Sequence, residues 1–304
     1  MAVYLKTFTL PSEEEEYEII CEQKFRNTGD RVWGYIDHSY PCGLFKAMDL
    51  STLVFEPVTI FCGGNGTGKS TLLNLIAQKL DLDRVAPFNT SEVFGLYSDA
   101  CRYTLADDGE QSIRKVPSGS RIITSDDIFD YMLAMRTNND EVTEATEEGR
   151  TKWAELRFGE TIKMQSLDDF EAVRMQVMAR SKTKSRRKFL RETAGTEQDL
   201  YSTGETAIRF YEEKLKNDKL YCLDEPENSL SPKRQLELRD LLIRLSRYCG
   251  CQFIMATHSP FLLSLEGAKI YDLDSTPATV KPWWELESVK VYYEFFKNNA
   301  KRFK

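Results

Sequence analysis

Histidine is scarce in this chain, and several marks of common functional classes are missing. Only two of its 304 residues are histidine, and no two of its seven cysteines have C-x-x-C spacing. The absence of this spacing argues against a zinc ribbon, and the odd number of cysteines argues against a disulfide framework. Reduced thiols in a cytoplasm are the simpler interpretation.

An excess of positive charge and long apolar runs are also lacking. The net charge of −7 excludes a general polyanion binder, so any contact with nucleic acid must come from a local patch. No stretch is long and apolar enough to span a bilayer, and the start, MAVYLKTFTLPSEEEE, predicts no secretory signal. We therefore expect a cytoplasmic protein without membrane contact. Glu13–Glu16 is most simply a solvated turn.

Short apolar runs alternate with helical patterns along most of the chain. Apolar side chains at nearly every position are typical of parallel strands that are covered on both faces. The runs are Val58–Cys62, Leu220–Leu223, Gln252–Ala256 and Lys269–Leu273. Ser231 and Pro232 predict the start of a helix that continues to about Tyr248. The alternation predicts an α/β fold with a mostly parallel sheet.

Two segments depart from this alternation. Between residues 127 and 199 charge is dense and the periodicity is helical, which predicts a helical subdomain inserted into a core of residues 1–126 and 200–304. Near the end of the chain, Trp283–Phe296 is rich in aromatic residues. We expect a short helix there that packs at the edge of the core.

The stretch GGNGTGKS fits the phosphate-binding pattern G-x-x-x-x-G-K-[ST] at every fixed position. An apolar strand precedes it and an amphipathic helix follows it, as this motif requires. Glycines allow backbone N–H groups to converge on phosphate oxygens, and the start of the helix adds partial positive charge. The pattern predicts a nucleotide site formed by Gly63, Gly64, Asn65, Gly66, Thr67, Gly68, Lys69, Ser70 and Thr71. Lys69 would bridge the β- and γ-phosphates, and the Ser70 hydroxyl would bind Mg²⁺.

Two later motifs can complete this site. LYCLDE is an apolar strand that ends in two carboxylates, where Asp224 is suited to hold Mg²⁺ and Glu225 to orient and deprotonate a water. IMATHSP is another apolar strand, and it ends at His258, which could reach a γ-phosphate. A third motif, YSTGE, precedes a helix and has the form of a second anion site. Because the first loop already holds the phosphates, Ser202, Gly204 and Glu205 are expected to face the nucleotide of a second chain.

The order GGNGTGKS, YSTGE, LYCLDEPE and ATHSP resembles that of the ABC-type ATPases. The STGE, DEPE and THSP variants are similar to the branch of SMC, RecF-type and OLD-type proteins, and to small stand-alone bacterial ATPases. The resemblance implies a P-loop NTPase with an ABC-type head, which hydrolyses ATP with Mg²⁺ in a head-to-tail homodimer. Residues 228–231 would cross the interface of that dimer. No glutamine matches the family's metal-contacting position, and Asp126 is the nearest candidate. We assign no aromatic partner for adenine, although Tyr40 is a candidate.

A dense basic run lies in the expected insertion. It consists of Arg180, Lys182, Lys184, Arg186, Arg187, Lys188 and Arg191. The run could bind the backbone of DNA, with an affinity that falls as salt rises. Alternatively, it could be a solvated helix face paired with the acidic stretch at residues 140–148, and this second interpretation is slightly favoured.

Three functions are compatible with these motifs. The first is an ATP-dependent dimer switch in DNA repair, genome maintenance or anti-phage defence, acting with a partner protein that the sequence does not name. The second is the ATP-binding subunit of a membrane transporter, against which the STGE and THSP motifs argue. The third is a regulatory module that senses ATP and hydrolyses it slowly.

Overall fold

The computed structural model describes residues 2–27, 39–88, 90–107, 113–160, 169–180 and 203–303. It divides into two compact units, of which one comprises Met1–Ile128 with Thr203–Lys304 and the other Phe129–Ser202. In chain order the strands are β1 (Leu5–Thr9), β2 (Thr52–Val54), β3 (Val58–Cys62), β4 (Arg102–Leu105), β5 (Arg121–Ile123), β6 (Leu220–Asp224), β7 (Gln252–Ala256), β8 (Lys269–Asp272) and β9 (Thr279–Val280). The α-helices are α1 (Glu13–Asn27), α2 (Lys69–Lys79), α3 (Glu92–Ala100), α4 (Ser125–Phe158), α5 (Phe170–Arg180), α6 (Thr203–Lys214), α7 (Pro232–Tyr248), α8 (Pro260–Leu263) and α9 (Glu287–Asn299).

A six-stranded sheet in the order β5-β6-β7-β3-β8-β9 forms the centre of the larger unit. Neighbouring strands are parallel from β5 to β8, and only β9 runs antiparallel to its neighbour. Every residue of β3 and β7 is buried, as the continuous apolar runs predict for strands covered on both faces. The carboxyl ends of the parallel strands therefore meet at one edge, where ligands bind in open sheets of this kind.

Buried side chains link a smaller antiparallel sheet, β2-β1-β4, to the larger sheet, and Gln252 is one of them. Gln252 starts β7, and its Oε1 accepts hydrogen bonds from the backbone N–H groups of Tyr4 (2.8 Å) and Leu5 (2.9 Å). Its Nε2 donates to the carbonyl oxygens of Leu5 (2.9 Å) and Glu56 (3.2 Å). Since Gln252 is fully buried, these bonds satisfy all of its polar groups away from water.

The acidic run near the start of the chain was expected to be a solvated turn, and this prediction is wrong. Glu13–Glu16 forms the first turn of α1, where negative charge is favourable. In a helix the four side chains point in different directions, and Glu16 points inward. Its Oε2 accepts from the backbone N–H of Gly43 (2.9 Å) and its Oε1 from the hydroxyl of the buried Tyr97 (3.1 Å).

The smaller unit contains most of α4, together with α5. As a 34-residue helix, α4 is about 51 Å long. Arg180 donates from Nε to the carbonyl oxygen of Leu156 (3.1 Å) and from Nη2 to that of Gly159 (2.7 Å), at the end of α4. In the opposite direction, Arg157 of α4 donates to the carbonyl oxygen of Ala179 in α5 (2.8 Å). Each arginine therefore caps the carboxyl end of the other helix.

The aromatic segment near the end of the chain does not pack as expected. Trp283–Glu285 forms a 3₁₀ turn and α9 follows, but Val289 is the single buried residue of that helix. Its large apolar side chains lie on several faces, so one contact with the domain cannot cover them. Large apolar residues of α9 that are at least half exposed are Val291, Tyr292, Tyr293, Phe295 and Phe296. None of the helices in the described ranges is long and apolar enough to cross a membrane.

Candidate nucleotide-binding site

The loop between β3 and α2 has a backbone that only glycine adopts without strain. Gly66 and Gly68 have φ angles of +82° and +88°. A Cβ atom on Gly68 would also lie 2.7 Å from Cε1 of the buried Phe45. A Cβ atom on Gly63 would lie 2.8 Å from Oγ1 of Thr67. This tight course allows the loop to direct backbone N–H groups towards an anion.

Lys69 begins α2 with its ammonium group inside the loop. Nζ donates to the carbonyl oxygens of Gly63 (2.8 Å) and Gly64 (2.9 Å), and only 5% of the residue is exposed. The N-terminus of α2 adds the partial positive charge of its free N–H groups at the same place. Asn65 and Gly66 are exposed on the loop. The loop thus places positive charge and free N–H groups where a phosphate chain could bind.

Two contacts that hold this loop were missed at the level of sequence. Asp274, just after β8, accepts a hydrogen bond through Oδ1 from the backbone N–H of Gly64 (2.7 Å). The hydroxyl groups of Tyr40 and the buried Thr71 are 2.7 Å apart, so Tyr40 supports the start of α2. No spacing rule could have found Asp274, because it is the pairing of β8 with β3 that brings this residue to the loop.

Ser70 and Asp224 form the part of the site that is suited to a metal. Ser70 Oγ donates to Asp224 Oδ1 over 3.0 Å, although the residues are 154 positions apart. Burial raises the pKa of Asp224 to about 6, so its negative charge is costly until a cation compensates for it. Hydroxyl and carboxylate oxygens are ligands that Mg²⁺ accepts, usually together with substrate phosphates. Within the described ranges no cluster of three or more His, Cys, Asp and Glu side chains forms a separate metal site.

The other metal candidate, Asp126, is placed less favourably. It is exposed in the first turn of α4, close to the end of β5. Its buried neighbour Asp127 fixes the start of this helix by accepting from the backbone N–H groups of Thr124 (2.7 Å) and Ala86 (3.0 Å). A contact of Asp126 with metal stays a prediction.

Glu225 and His258 lie together because β6 and β7 are neighbours. These strands pair with Asp224 opposite Ala256, so the residues that follow leave the sheet side by side. The Nε2 atom of His258 is 3.9 Å from Oε1 of Glu225, and it is buried without a hydrogen-bond partner in the part of the chain that the structure describes. Oε2 of Glu225 accepts from Nδ2 of Asn228 (2.9 Å). A carboxylate and an imidazole nitrogen without a hydrogen-bond partner among the described residues therefore lie at the same edge of the sheet as Asp224.

The third motif is described only in part. Ser202 and the other histidine, His38, lie outside the described residues. Gly204 is in the first turn of α6, and next to it Oε1 of Glu205 forms an ion pair with Nη2 of Arg234 (2.6 Å) on α7. The expected contact of these residues with the nucleotide of a second chain stays a prediction.

The fold and this site define the class of protein. A parallel sheet with a glycine-rich loop, a buried lysine and acidic strand ends is the arrangement of a P-loop ATPase. The family model described as "ABC transporter" matches residues 51–228, more than half of the chain. The chain belongs to this family and has an ABC-type ATP-binding domain. A second model, described as "AAA domain, putative AbiEii toxin, Type IV TA system", matches residues 198–264.

Several solved structures resemble this chain at low sequence identity. The SMC head domain from Thermotoga maritima is 16% identical, with 92% of this chain and 98% of that chain covered and a TM-score of 0.38. The ATP-binding cassette MJ0796, a dimer in a post-hydrolysis state bound to ADP and Pi, is 15% identical, with coverage of 76% and 88% and a TM-score of 0.35. The Smc head domain from Pyrococcus furiosus, bound to the C-terminal domain of ScpA, is 13% identical, with coverage of 80% and 94% and a TM-score of 0.38. No protein of curated function matches the sequence.

Proposed function

We propose that this protein is an ATP-hydrolysing dimer switch that acts in DNA repair and maintenance or in anti-phage defence. One observation carries the enzymatic part of the proposal. The hydrogen bond from Ser70 to Asp224 joins the phosphate loop to the acidic end of β6, directly beside Glu225 and His258. Binding groups and hydrolytic groups are therefore contributed by neighbouring strands of one sheet.

The residues have separate tasks in this reaction. Lys69 and the loop N–H groups bind the β- and γ-phosphates, and Ser70 with Asp224 would hold Mg²⁺, which would neutralise phosphate charge. Glu225 accepts a proton from water, and the oxygen of that water attacks the γ-phosphorus as the bond to the leaving ADP oxygen breaks. His258 Nε2 lacks a partner among the described residues, and it would hydrogen-bond to the γ-phosphate.

The dimer is part of the proposal because one chain supplies an open half of the site. The side chains of Glu225 and His258 are 36% and 37% exposed, respectively. We assign the covering surface to Ser202 and Gly204 of a second copy, whose helix start would face the same γ-phosphate. ATP would close the dimer, and hydrolysis would open it.

The biological role is inferred from a family model and from the basic run. The second family model is described as a putative AbiEii toxin of a type IV TA system, which favours a role in defence. A role on DNA would use the basic run at residues 180–191. Of that run Arg180 caps α4, and residues 181–191 lie outside the described residues. A partner protein would bind the closed, ATP-bound dimer.

The dimer is tested by the substitution Glu225→Gln, which keeps the size of the side chain but removes the base. We expect phosphate release to fall by at least ~100-fold, and the mass in solution to double with ATP and Mg²⁺. Glu266→Gln is the matched control, because Glu266 is 79% exposed and pairs only with Arg247 among the described residues. A Glu225→Gln protein that binds ATP yet stays monomeric would rule out the ATP-dependent dimer.

The role on DNA is tested separately by steady-state phosphate release with and without duplex DNA at two salt concentrations. An increase in rate that weakens with salt supports a switch on DNA. A slow rate that DNA does not change supports the alternative of an ATP-sensing module.

A further inference from the structure

Glu227 joins the two turns that carry the hydrolytic residues. It follows β6, and its Oε1 accepts hydrogen bonds from the backbone N–H groups of His258 (2.6 Å) and Ser259 (3.1 Å), which follow β7. Burial raises the pKa of Glu227, as expected for a carboxyl group removed from water. A buried carboxylate is costly to the fold, so its place on these two N–H groups calls for a physical reason.

A second side chain holds the same turn from the other direction. Gln235, in the first turns of α7, accepts through Oε1 from the hydroxyl of Ser259 (2.6 Å) and donates through Nε2 to the carbonyl oxygen of Leu230 (2.9 Å). The hydroxyl oxygen of Ser259 also accepts from the N–H groups of Phe261 (3.2 Å) and Leu262 (3.3 Å) at the start of α8. The turn after β7 is therefore linked to the segment after β6 at two points, Glu227 and Leu230.

These links fix the distance between the two hydrolytic groups. Glu225 is held by Asn228 through Nδ2 (2.9 Å), and His258 is held by Glu227 through its backbone. Glu225, Glu227 and Asn228 belong to one short turn, in which Glu225 and Ser229 have left-handed φ angles of +48° and +67°. A change in this turn would move the base and the imidazole together.

We infer that Glu227 is a positioning residue for ATP hydrolysis, which holds the His258 turn in register with Glu225. It does not touch the nucleotide in this scheme and acts through His258. The inference rests on the proposed function, because it requires that Glu225 and His258 serve hydrolysis. Gln235 is a second support for the same turn, because it links Leu230 to Ser259. Through Gln235, a contact between a second copy and residues 228–231 would affect the position of His258.

The test distinguishes a side chain at position 227 that accepts hydrogen bonds from one that only fills space. Glu227→Met fills the space but accepts no hydrogen bond, and we expect kcat to fall roughly 10- to 100-fold because the imidazole is misplaced. The KM for ATP should change less than about threefold, since the phosphate loop is intact. Glu227→Gln retains an oxygen acceptor and should restore kcat to within about threefold of wild type. Equal losses in the Gln and Met variants would overturn the inference.

A double-mutant cycle shows whether Glu227 acts through His258. In a His258→Ala background, Glu227→Met should lower kcat by less than about twofold, because the group that it positions is gone. A loss that persists undiminished in this background would refute the positioning role. If Glu227→Met does not fold, the cycle is run with Gln235→Leu, which should likewise lower kcat less in the His258→Ala background than in wild type.

Glu225→Gln distinguishes failure of the inference from failure of the proposed function. If that variant hydrolyses ATP at the wild-type rate, the proposed function is wrong. If it is inactive while folded Glu227→Met keeps the wild-type kcat, the inference alone is wrong.

Discussion

The glycines of the phosphate loop allow a stability prediction in which strain and packing can be measured apart. Gly66 and Gly68 have nearly the same left-handed φ angle, but they differ in their surroundings. A Cβ atom on Gly66 would meet no atom within 4 Å, whereas one on Gly68 would lie 2.7 Å from Phe45 Cε1 and 3.0 Å from Leu44 Cδ2. Gly95 in α3 is the control, because its backbone is helical and its Cβ position is open.

The expected magnitudes follow from these geometries. An alanine in the left-handed region costs roughly 1–2 kcal/mol, partly offset by the reduced entropy of the unfolded chain. Gly66→Ala should therefore lower the free energy of unfolding by about 1 kcal/mol. Gly68→Ala adds overpacking against Phe45, about 1–3 kcal/mol, and should lose about 2–4 kcal/mol in total. Gly95→Ala should gain about 0.5–1 kcal/mol.

Urea unfolding without nucleotide measures these differences, provided that the slope with denaturant is the same for all variants. A cycle with Phe45→Leu isolates the contact, because Gly68→Ala should cost about 1–3 kcal/mol less in that background. Equal losses for Gly66→Ala and Gly68→Ala, or no coupling with Phe45→Leu, would refute the packing argument and leave backbone strain as the whole effect.

Three further predictions concern buried polar groups. Gln252→Leu should lower the free energy of unfolding by at least about 3 kcal/mol, because it leaves backbone groups of Tyr4, Leu5 and Glu56 unsatisfied, and urea unfolding would measure this. Glu16→Leu should cost about 2–4 kcal/mol, and Tyr97→Phe in that background should recover part of the loss by removing the orphaned hydroxyl. Burial tends to raise the pKa of Asp272, but hydrogen bonds from Lys281 and Ser275 outweigh it and leave the pKa below its ordinary value. The stability that Asp272 contributes is thus complete above the unfolded pKa of about 3.9 and is lost as pH falls through the lower folded pKa. The stability difference between wild type and Asp272→Asn should accordingly disappear in acid, as unfolding at several pH values would show.

Elements with a strong local pattern were predictable from sequence. The strands Val58–Cys62 and Gln252–Ala256 and the helix from Pro232 to Tyr248 have the bounds that their apolar runs and capping residues indicated. Elements whose side chains had to be assigned to a face were not predictable. Glu13–Glu16 consists of four identical residues, and only the packing of α1 turns Glu16 inward. Aromatic content at residues 283–296 indicated a short helix packed at the edge of the core, yet the domain covers little more than Val289 of α9.

The sequence by itself determined the α/β class and the ABC-type family resemblance, and it predicted the residues of the phosphate loop, because these depend on residue types at short, regular spacings. Only the tertiary structure decided which distant residues meet. The sheet order places β7 beside both β6 and β3, and this order brings Ser70 to Asp224 and Glu225 to His258. The contacts of Glu227, Asp274 and Gln252 arise in the same way. Gln252 and the carboxylate of Glu227 are shielded from water and need partners, whereas Asp274 is exposed. In all three cases the register of neighbouring strands, which no local pattern encodes, selects the partner.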